Sequence, residues 1–338
     1  MSQTLKIAIP MGGLGTRLRP HTWSKPKPLI ALAGKTILDY VLEQFKSLPD
    51  LKNVEYVLIV GPTQLEQVQA HMRQSHPEKV VHYVVQEKMR GQSDALYLAR
   101  QHLTGPMLMT FCDTLVETNL ATIADESCDG RAWVQPVEDP RRFGVAQLDE
   151  QGWVTRLIEK PQDMTNNLVV VGFYYFRHAE ALMSAIEEQF ARKVTLKGEY
   201  FLADAVNIML ERGMRMRTQQ VEKWLDAGVP DTLLETNRYL LEHGADNSAE
   251  ATARLKNVAI IPPVFIAPNA VVESSVIGPY VSVGADCELK QVVVRNSILE
   301  DGASVHNMML ENSLLGRDVQ LQGQMMHLNL GDQSWAMS

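Results

Sequence analysis

Three phrases in the last quarter of the chain nearly repeat one another: SSVIGPYVSV, NSILEDGASV and NSLLGRDVQL. Apolar residues return there about every six positions. Ile266 is followed by Val272, then come Ile277, Val283 and Leu289, Leu299 with Val305, and Leu315 with Leu321. No amphipathic helix fits that spacing. Hexads with small residues between them are the signature of a β-helix, whose short strands stack coil on coil, rather than of an ordinary β-sandwich. Residues 258–338 have room for roughly four coils of about 16–18 residues and a tail. The small, polar stretch GADNSAEATARLKN ahead of them reads as a linker, residues 244–257.

The chain before residue 244 is patterned differently. From residue 5 to about residue 148, apolar strands alternate with helices. LKIAIP reads as a buried strand, TILDYVLEQFKSL as a helix carrying Ile37, Leu38, Val41, Leu42, Phe45 and Leu48 on one face, and VEYVLIV as the next strand. TQLEQVQAHM opens with Thr63 and Glu66 at capping-box spacing. VVHYVVQ, DALYLARQHL and PMLMTF continue the series. The repetition predicts a doubly wound α/β sheet, mainly parallel and covered on both faces. Such sheets bind ligands in loops at the carboxyl ends of their strands. Residues 12–27 and Cys112-Asp113-Thr114 both fall in such loops. From about Ala132 the strands RAWVQPV, GVAQLD, WVTRLIEKP and LVVVGFYYF alternate more and read as antiparallel. MRTQQVEKWLDAG reads as one further short strand, and residues 1–243 as one domain.

Bulk properties exclude several classes. The 338 residues suit two domains, and 45% hydrophobic with 21% charged residues can fill their cores. A net charge of -8 without a long Lys/Arg run argues against nucleic acid as a partner. MSQTLK lacks the layout of a secretory signal and no apolar run has the length of a membrane span, so a cytoplasmic protein without membrane partners is expected. Cys112, Cys128 and Cys287 are widely spaced and lack CxxC or histidine partners. That sets aside a disulfide framework or a cysteine zinc site and fits a reducing compartment.

Against this acidic balance, Arg17, Arg19, Lys25, Lys27 and Lys35 gather behind a glycine turn. In Gly12-Gly13-Leu14-Gly15-Thr16-Arg17 the glycines let backbone N–H groups approach phosphate oxygens, and the arginine supplies a forked donor. No Gly-Lys-Ser/Thr occurs, which excludes a P-loop, and the third position of a dinucleotide fingerprint is Leu18. By themselves the glycines fit a tight turn equally well. The longer string GGxGTRLxPxTxxxPKPL, followed by Gly34-Lys35, resembles the opening of the sugar-phosphate nucleotidylyltransferases. It is most similar to their long-form glucose-1-phosphate thymidylyl- and uridylyltransferase branch, and the resemblance extends over nearly the whole chain. Met11-Gly12 departs from the Ala-Gly or Leu-Ala of many members, at the wall expected to face the base.

The resemblance implies a Rossmann-like nucleotidyltransferase catalytic domain over 1–243 and a left-handed parallel β-helix within 258–338. It also implies the reaction. An oxygen of a sugar 1-phosphate attacks the α-phosphorus of a nucleoside triphosphate and expels pyrophosphate, with Mg²⁺ as cofactor. That phosphate is already ionised at neutral pH, so catalysis rests on positioning and on charge neutralisation rather than on a protein nucleophile. In matching positions Arg17 is implied to stabilise the triphosphate and the leaving pyrophosphate, Lys27 the α-phosphate, and Lys160 of IEKP the sugar phosphate. Asp113 and Asp226 are implied as the metal ligands. Gly12, Gly13, Gly15, Thr16, Gln86 and Gly91 fall in the nucleotide-binding segments, and Gly144, Glu159, Val170 and Gly172 match hexose-lining positions.

The Gln86 amide can accept from N3–H and donate to O4 of uracil or thymine, which favours dTTP or UTP over GTP. Glucose 1-phosphate is the expected acceptor and a homo-oligomer the expected assembly. Asp94, near the Gln86 loop, receives no role. Two alternatives stand: a mannose-1-phosphate guanylyltransferase, and a non-catalytic regulatory subunit that binds sugar nucleotides. The latter is disfavoured because Arg17, Lys27, Asp113, Lys160 and Asp226 are all present. His306 stands alone in a short β-helix, so acyl transfer is set aside.

Overall fold

The computed structural model describes residues 4–121, 123, 128–324 and 332–333. The chain divides into two compact units, Met1–Ile30 with Lys35–Leu233 and Ala31–Gly34 with Leu234–Ser338.

In the first unit Leu5–Pro10 runs parallel to Val54–Val60 on one side and to Met107–Thr110 on the other, and Val80–Val85 extends the first side. Taken in chain order, these four parallel strands stand 3-2-1-4 across the sheet. The winding therefore reverses between Leu5–Pro10 and Met107–Thr110, and loops leaving their carboxyl ends diverge to leave a crevice. Ile7, Ala8 and Ile9 are fully buried, as a strand covered on both faces requires. Beyond Met107–Thr110 the sheet becomes antiparallel, through Leu168–Phe176, Gly144–Leu148 and Val154–Glu159. Gly130–Pro136 also pairs with Leu168–Phe176 and carries Met216–Gln220 beside it in parallel.

Leu168–Phe176 reaches three partners because its register slips between Val170 and Tyr174. Gly172 lies in the slip with φ +82°, and a Cβ there would stand 2.4 Å from the Phe111 ring. Both the backbone angle and the space demand glycine.

Three local expectations are corrected. The helix read over TILDYVLEQFKSL ends at Glu43 and continues as a 3-10 turn, Gln44–Ser47, which still buries Phe45. Thr63 and Glu66 do not form a capping box, since the helix Leu65–Ser75 starts after Gln64 without a side-chain cap. The helix starts one residue later than that spacing requires, so Gln64 rather than Thr63 is the N-cap residue, and its amide accepts from Gly61 N and donates to Gly13 O. The capping box forms instead at Thr36 and Asp39. Finally, MRTQQVEKWLDAG is two strands. Met216–Gln220 joins the large sheet, and Lys223–Asp226 pairs antiparallel with Thr114–Glu117 in a separate ribbon.

The second unit contains the repeats. Short strands stack in three parallel sheets of four strands each, which makes four coils. Val264 stands on Val281 and Ser304 on Gln320, offsets of 17 and 16 residues. The hexad residues become interior columns: Ile266, Val283, Leu299 and Leu315 in one, Val272, Leu289, Val305 and Leu321 in another. Ile260, Ile277, Val294 and Leu310 form a third column. The corners also form columns. Tyr280, Asn296 and Asn312 share one, and Asp286, Gly302 and Asp318 another, all at positive φ. Asn, Asp and Gly tolerate that conformation best, which explains the polar residues between the hexads. Asn296 Nδ2 donates to Asn312 Oδ1 at 2.5 Å, so the corner side chains bond from coil to coil. The fold matches the left-handed parallel β-helix expected. Residues 244–257, read as a linker, include a helix, Ser248–Arg254. Most of the tail, with Met325 and Met326, lies outside the described residues. Among the described residues no helix is long and apolar enough to cross a membrane.

Candidate active site

The glycine loop and the loop holding Asp113 leave adjacent parallel strands on either side of the winding reversal. Gly12 is buried, whereas Gly13, Thr16 and Arg17 are exposed. Gly15 takes φ +59° ahead of the turn Thr16–Leu18 and accepts from Thr22 Oγ1 at 2.8 Å. Gln64 ties the loop down from the next strand, at 3.0 Å to Gly13 O. The loop thus presents Gly13, Thr16 and Arg17 to solvent from a fixed base.

Lys27 opens the turn Lys27–Leu29, where Pro26 and Pro28 restrain the backbone. It is only 8% exposed, and its Nζ forms a short ion pair with Asp113 Oδ2. A buried ammonium needs such a partner. Asp226 comes to the same place through the ribbon. It faces Thr114 in register, and Ala227 N donates to Asp113 O at 3.0 Å. Thr232 Oγ1 donates to Asp226 Oδ2 at 3.2 Å. Burial pushes the Asp226 carboxyl above its ordinary value and the Asp113 charge adds to this, while Lys27, Thr232 and Arg17 oppose it. Four residues far apart in sequence, Arg17, Lys27, Asp113 and Asp226, therefore share one electrostatic neighbourhood. Two carboxylates held close enough to repel supply hard oxygen donors of the kind a divalent cation takes.

A second group lies on the antiparallel half. Gly144 faces Glu159 on one side and Val170 on the other. A Cβ on Gly144 would stand 3.1 Å from Glu159 Oε2, so the absence of a side chain leaves the carboxylate uncovered. Burial raises the Glu159 carboxyl, the neighbouring Lys160 opposes this, and Asp204 adds to it. The Lys160 ammonium is 3.7 Å from Glu159 Oε1 and 4.6 Å from the centre of the Phe201 ring. Gly172 stands two residues beyond Val170, against Phe111 at the head of the Asp113 loop.

The third group is Gln86 with Gly91 and Gly12. Gln86 ends the strand register at Val85, is 4% exposed, and lies with Oε1 3.3 Å from where a Cβ on Gly12 would sit. Its Nε2 donates to Gly91 O at 3.2 Å and to Asp94 Oδ2 at 2.9 Å. Two acceptors around Nε2 fix which end of the amide is which. Both N–H groups are consumed inside the protein, and the oxygen is turned toward Gly12. The expectation that Gln86 also donates to O4 is thereby corrected. It offers an acceptor, which suits a ring N–H.

The sequence reading missed Asp94, which is 2% exposed and also takes Arg90 Nη2 at 2.5 Å. The i,i+4 spacing of Arg90 and Asp94 was the available signal. It missed Gln64 and Thr232 as well, whose roles depend on loops meeting in space.

Residues 8–243 match the family model described as nucleotidyl transferase. The chain is 31% identical to the low-salt glycan biosynthesis nucleotidyltransferase Agl11 of Haloferax volcanii, over 93% of this chain and 92% of that protein. It is 30% identical to a glucose-1-phosphate thymidylyltransferase of Streptomyces griseus, over 98% of this chain and 99% of that protein. Among solved structures, a UDP-glucose pyrophosphorylase complexed with UDP-glucose aligns with TM-score 0.61 at 19% identity, covering 72% of this chain and all of that one, a likeness of fold. The chain belongs to the nucleotidyl transferase family, among its sugar-phosphate nucleotidyltransferases.

Proposed function

We propose that the protein transfers a nucleotidyl group from dTTP or UTP to a hexose 1-phosphate, glucose 1-phosphate foremost, and releases pyrophosphate. The observation that carries this reading is the meeting of Arg17, Lys27, Asp113 and Asp226 at the winding reversal. Relatives support the choice of substrates: the Streptomyces griseus protein is a glucose-1-phosphate thymidylyltransferase, and the 28% identical AglF of Haloferax volcanii is a UTP–glucose-1-phosphate uridylyltransferase. The acceptor at Gln86 Oε1 matches N3–H of uracil and thymine and opposes the N3 lone pair of cytosine.

In this reading the glycine loop cradles the triphosphate with backbone N–H groups, and Arg17 lies over the β- and γ-phosphates. Lys27 neutralises charge that builds on the α-phosphate oxygens. The sugar phosphate is held by Lys160, and Glu159 accepts hydrogen bonds from sugar hydroxyls in the space that Gly144 leaves. A phosphate oxygen of the sugar forms a bond to the α-phosphorus while the bond to the pyrophosphate oxygen breaks, and no proton moves. Asp113 and Asp226 would hold Mg²⁺, which when bound supplies charge neutralisation across the reacting phosphates. Asp113 would then be shared between the Lys27 ion pair and the cation.

Pyrophosphate release with Mg²⁺, glucose 1-phosphate and each of dTTP, UTP, GTP, ATP and CTP tests the proposal. Turnover greatest with dTTP or UTP is expected. Turnover with GTP alone moves the assignment to a guanylyltransferase and to mannose 1-phosphate. Binding of nucleotide sugars without turnover of any triphosphate or sugar phosphate overturns catalysis itself.

A further inference from the structure

Outside these groups, three side chains from separate turns of the first unit point at one place. Asp39 lies in the first turn of the helix Ile37–Glu43, His71 in the helix Leu65–Ser75, and His76 caps that helix at its carboxyl end. His71 Nε2 and His76 Nε2 lie 2.8 and 2.7 Å from the same oxygen, Asp39 Oδ1. All three ligand atoms fall within 4.8 Å of one another. The other oxygen, Oδ2, accepts from Thr36 N at 2.8 Å and from Thr36 Oγ1 at 2.7 Å. The carboxylate is therefore oriented by its own capping box, with one oxygen left to face the two imidazoles.

We propose that Asp39, His71 and His76 form a site for a divalent transition ion of the zinc class, which clamps the end of one helix to the start of the other. Two imidazole nitrogens and one carboxylate oxygen are a donor set that zinc, cobalt and nickel prefer over magnesium or calcium. Zinc bonds of about 2.0–2.2 Å in a tetrahedral arrangement need ligand atoms roughly 3.3 Å apart, so each Asp39–histidine pair must open by about half an ångström. The side chains are 13–17% exposed, which gives an ion and its water access without unfolding. When an ion is bound, each imidazole ligates through Nε2 and carries its proton on Nδ1. Thr36 supplies the outer hydrogen bonds that hold a metal-bound carboxylate in place. A water completes the fourth position.

The test is Co²⁺ titration of the full-length protein after chelator treatment, followed by visible absorption, thermal unfolding and displacement by Zn²⁺. One equivalent with the intense spectrum of a four-coordinate nitrogen-containing site is expected, together with a raised Tm. The His71→Gln/His76→Gln variant should lose affinity by more than about 100-fold and keep its circular dichroism and its Mg²⁺-supported turnover. The single His71→Gln variant, which leaves two ligands, should fall between. Absence of the four-coordinate spectrum in the wild type overturns the proposal, as does equal uptake by the variants. A weak all-oxygen spectrum alone, unaffected by the histidine changes, does so too, since Asp113 and Asp226 can give that signal by themselves. Turnover is a control only, so failure of the functional proposal leaves this test readable.

Discussion

Replacing Asp94 by Asn changes no volume and removes one charge, yet it should change which base the enzyme accepts. In the native arrangement Asp94 gives one oxygen to Arg90 at 2.5 Å and the other to Gln86 Nε2 at 2.9 Å. Asparagine has a single acceptor oxygen, and the Arg90 guanidinium claims it. The new Nδ2 then faces Gln86 Nε2, donor against donor. Rotating the Gln86 amide relieves the clash, at the cost of its 3.2 Å bond to Gly91 O, and turns an N–H toward Gly12. Uracil N3–H then meets a donor, whereas cytosine N3 meets a partner. A hydrogen bond to a charged group is worth about 1.5–3 kcal/mol, or roughly 10–150-fold in an equilibrium. The ratio of kcat/KM for UTP over CTP should therefore fall by about that factor in Asp94→Asn. Because the ratio is internal to one preparation, partial unfolding does not alter it. An unchanged ratio in a variant with native circular dichroism refutes the amide-orientation account.

Other outcomes follow from the same geometry. Asp113→Asn and Lys27→Ala should each lower kcat/KM by about 10²–10³-fold, the usual cost of one transition-state electrostatic group. Pyrophosphate release measures this, and wild-type rates in either variant would remove that residue from the site. Gly172→Ala should cost about 2–3 kcal/mol by urea unfolding, because the Cβ meets Phe111 and φ is positive; a loss within experimental error would mean the strand slip can relax. Burial pushes the Cys112 thiol up to about 12 and the Cys287 thiol up to about 11. A raised thiol stays protonated below its pKa, so at pH 8 only about one Cys112 in ten thousand is thiolate. Neither cysteine should react with a disulfide reagent at pH 8 until denaturant is added, which mass spectrometry of labelled peptides can follow.

Much of the architecture could be read from the sequence because it rests on local period. The hexads of the second unit became interior columns with the same residues, since coil length is set by the repeat itself. The parallel strands were equally visible as apolar runs. Pairing between distant segments was not. The split of MRTQQVEKWLDAG depends on two different sheets recruiting its halves, and nothing in its composition announces that. The capping residue of the helix Leu65–Ser75 was equally hidden: Gln64 stands at its N-cap and serves the glycine loop, a contact across 51 residues. Among the site residues, Asp113 and Asp226 were named through a resemblance, and their proximity rests on the ribbon register of Asp226 with Thr114. Asp94 could be named but given no role, because an aspartate in a helix's first turn fits an ordinary dipole partner, and only its burial and its bonds to Gln86 and Arg90 point to another task.

The winding reversal in the sheet separates two groups of candidate site residues along the chain. Gln86, Gly91 and Asp94 follow the parallel strands on one flank, whereas Gly144, Glu159 and Val170 belong to the antiparallel strands on the other. The charged group of Lys27 and Asp113 lies where the two flanks meet. If the proposed function holds, recognition of the base and of the sugar falls to two blocks of sequence carried on different strands of the sheet. A lineage can rewrite one block while the other, and the phosphate chemistry, stays intact. Swapping either block among relatives should therefore recombine donor and acceptor preferences independently, each change in selectivity adding to the other in free energy.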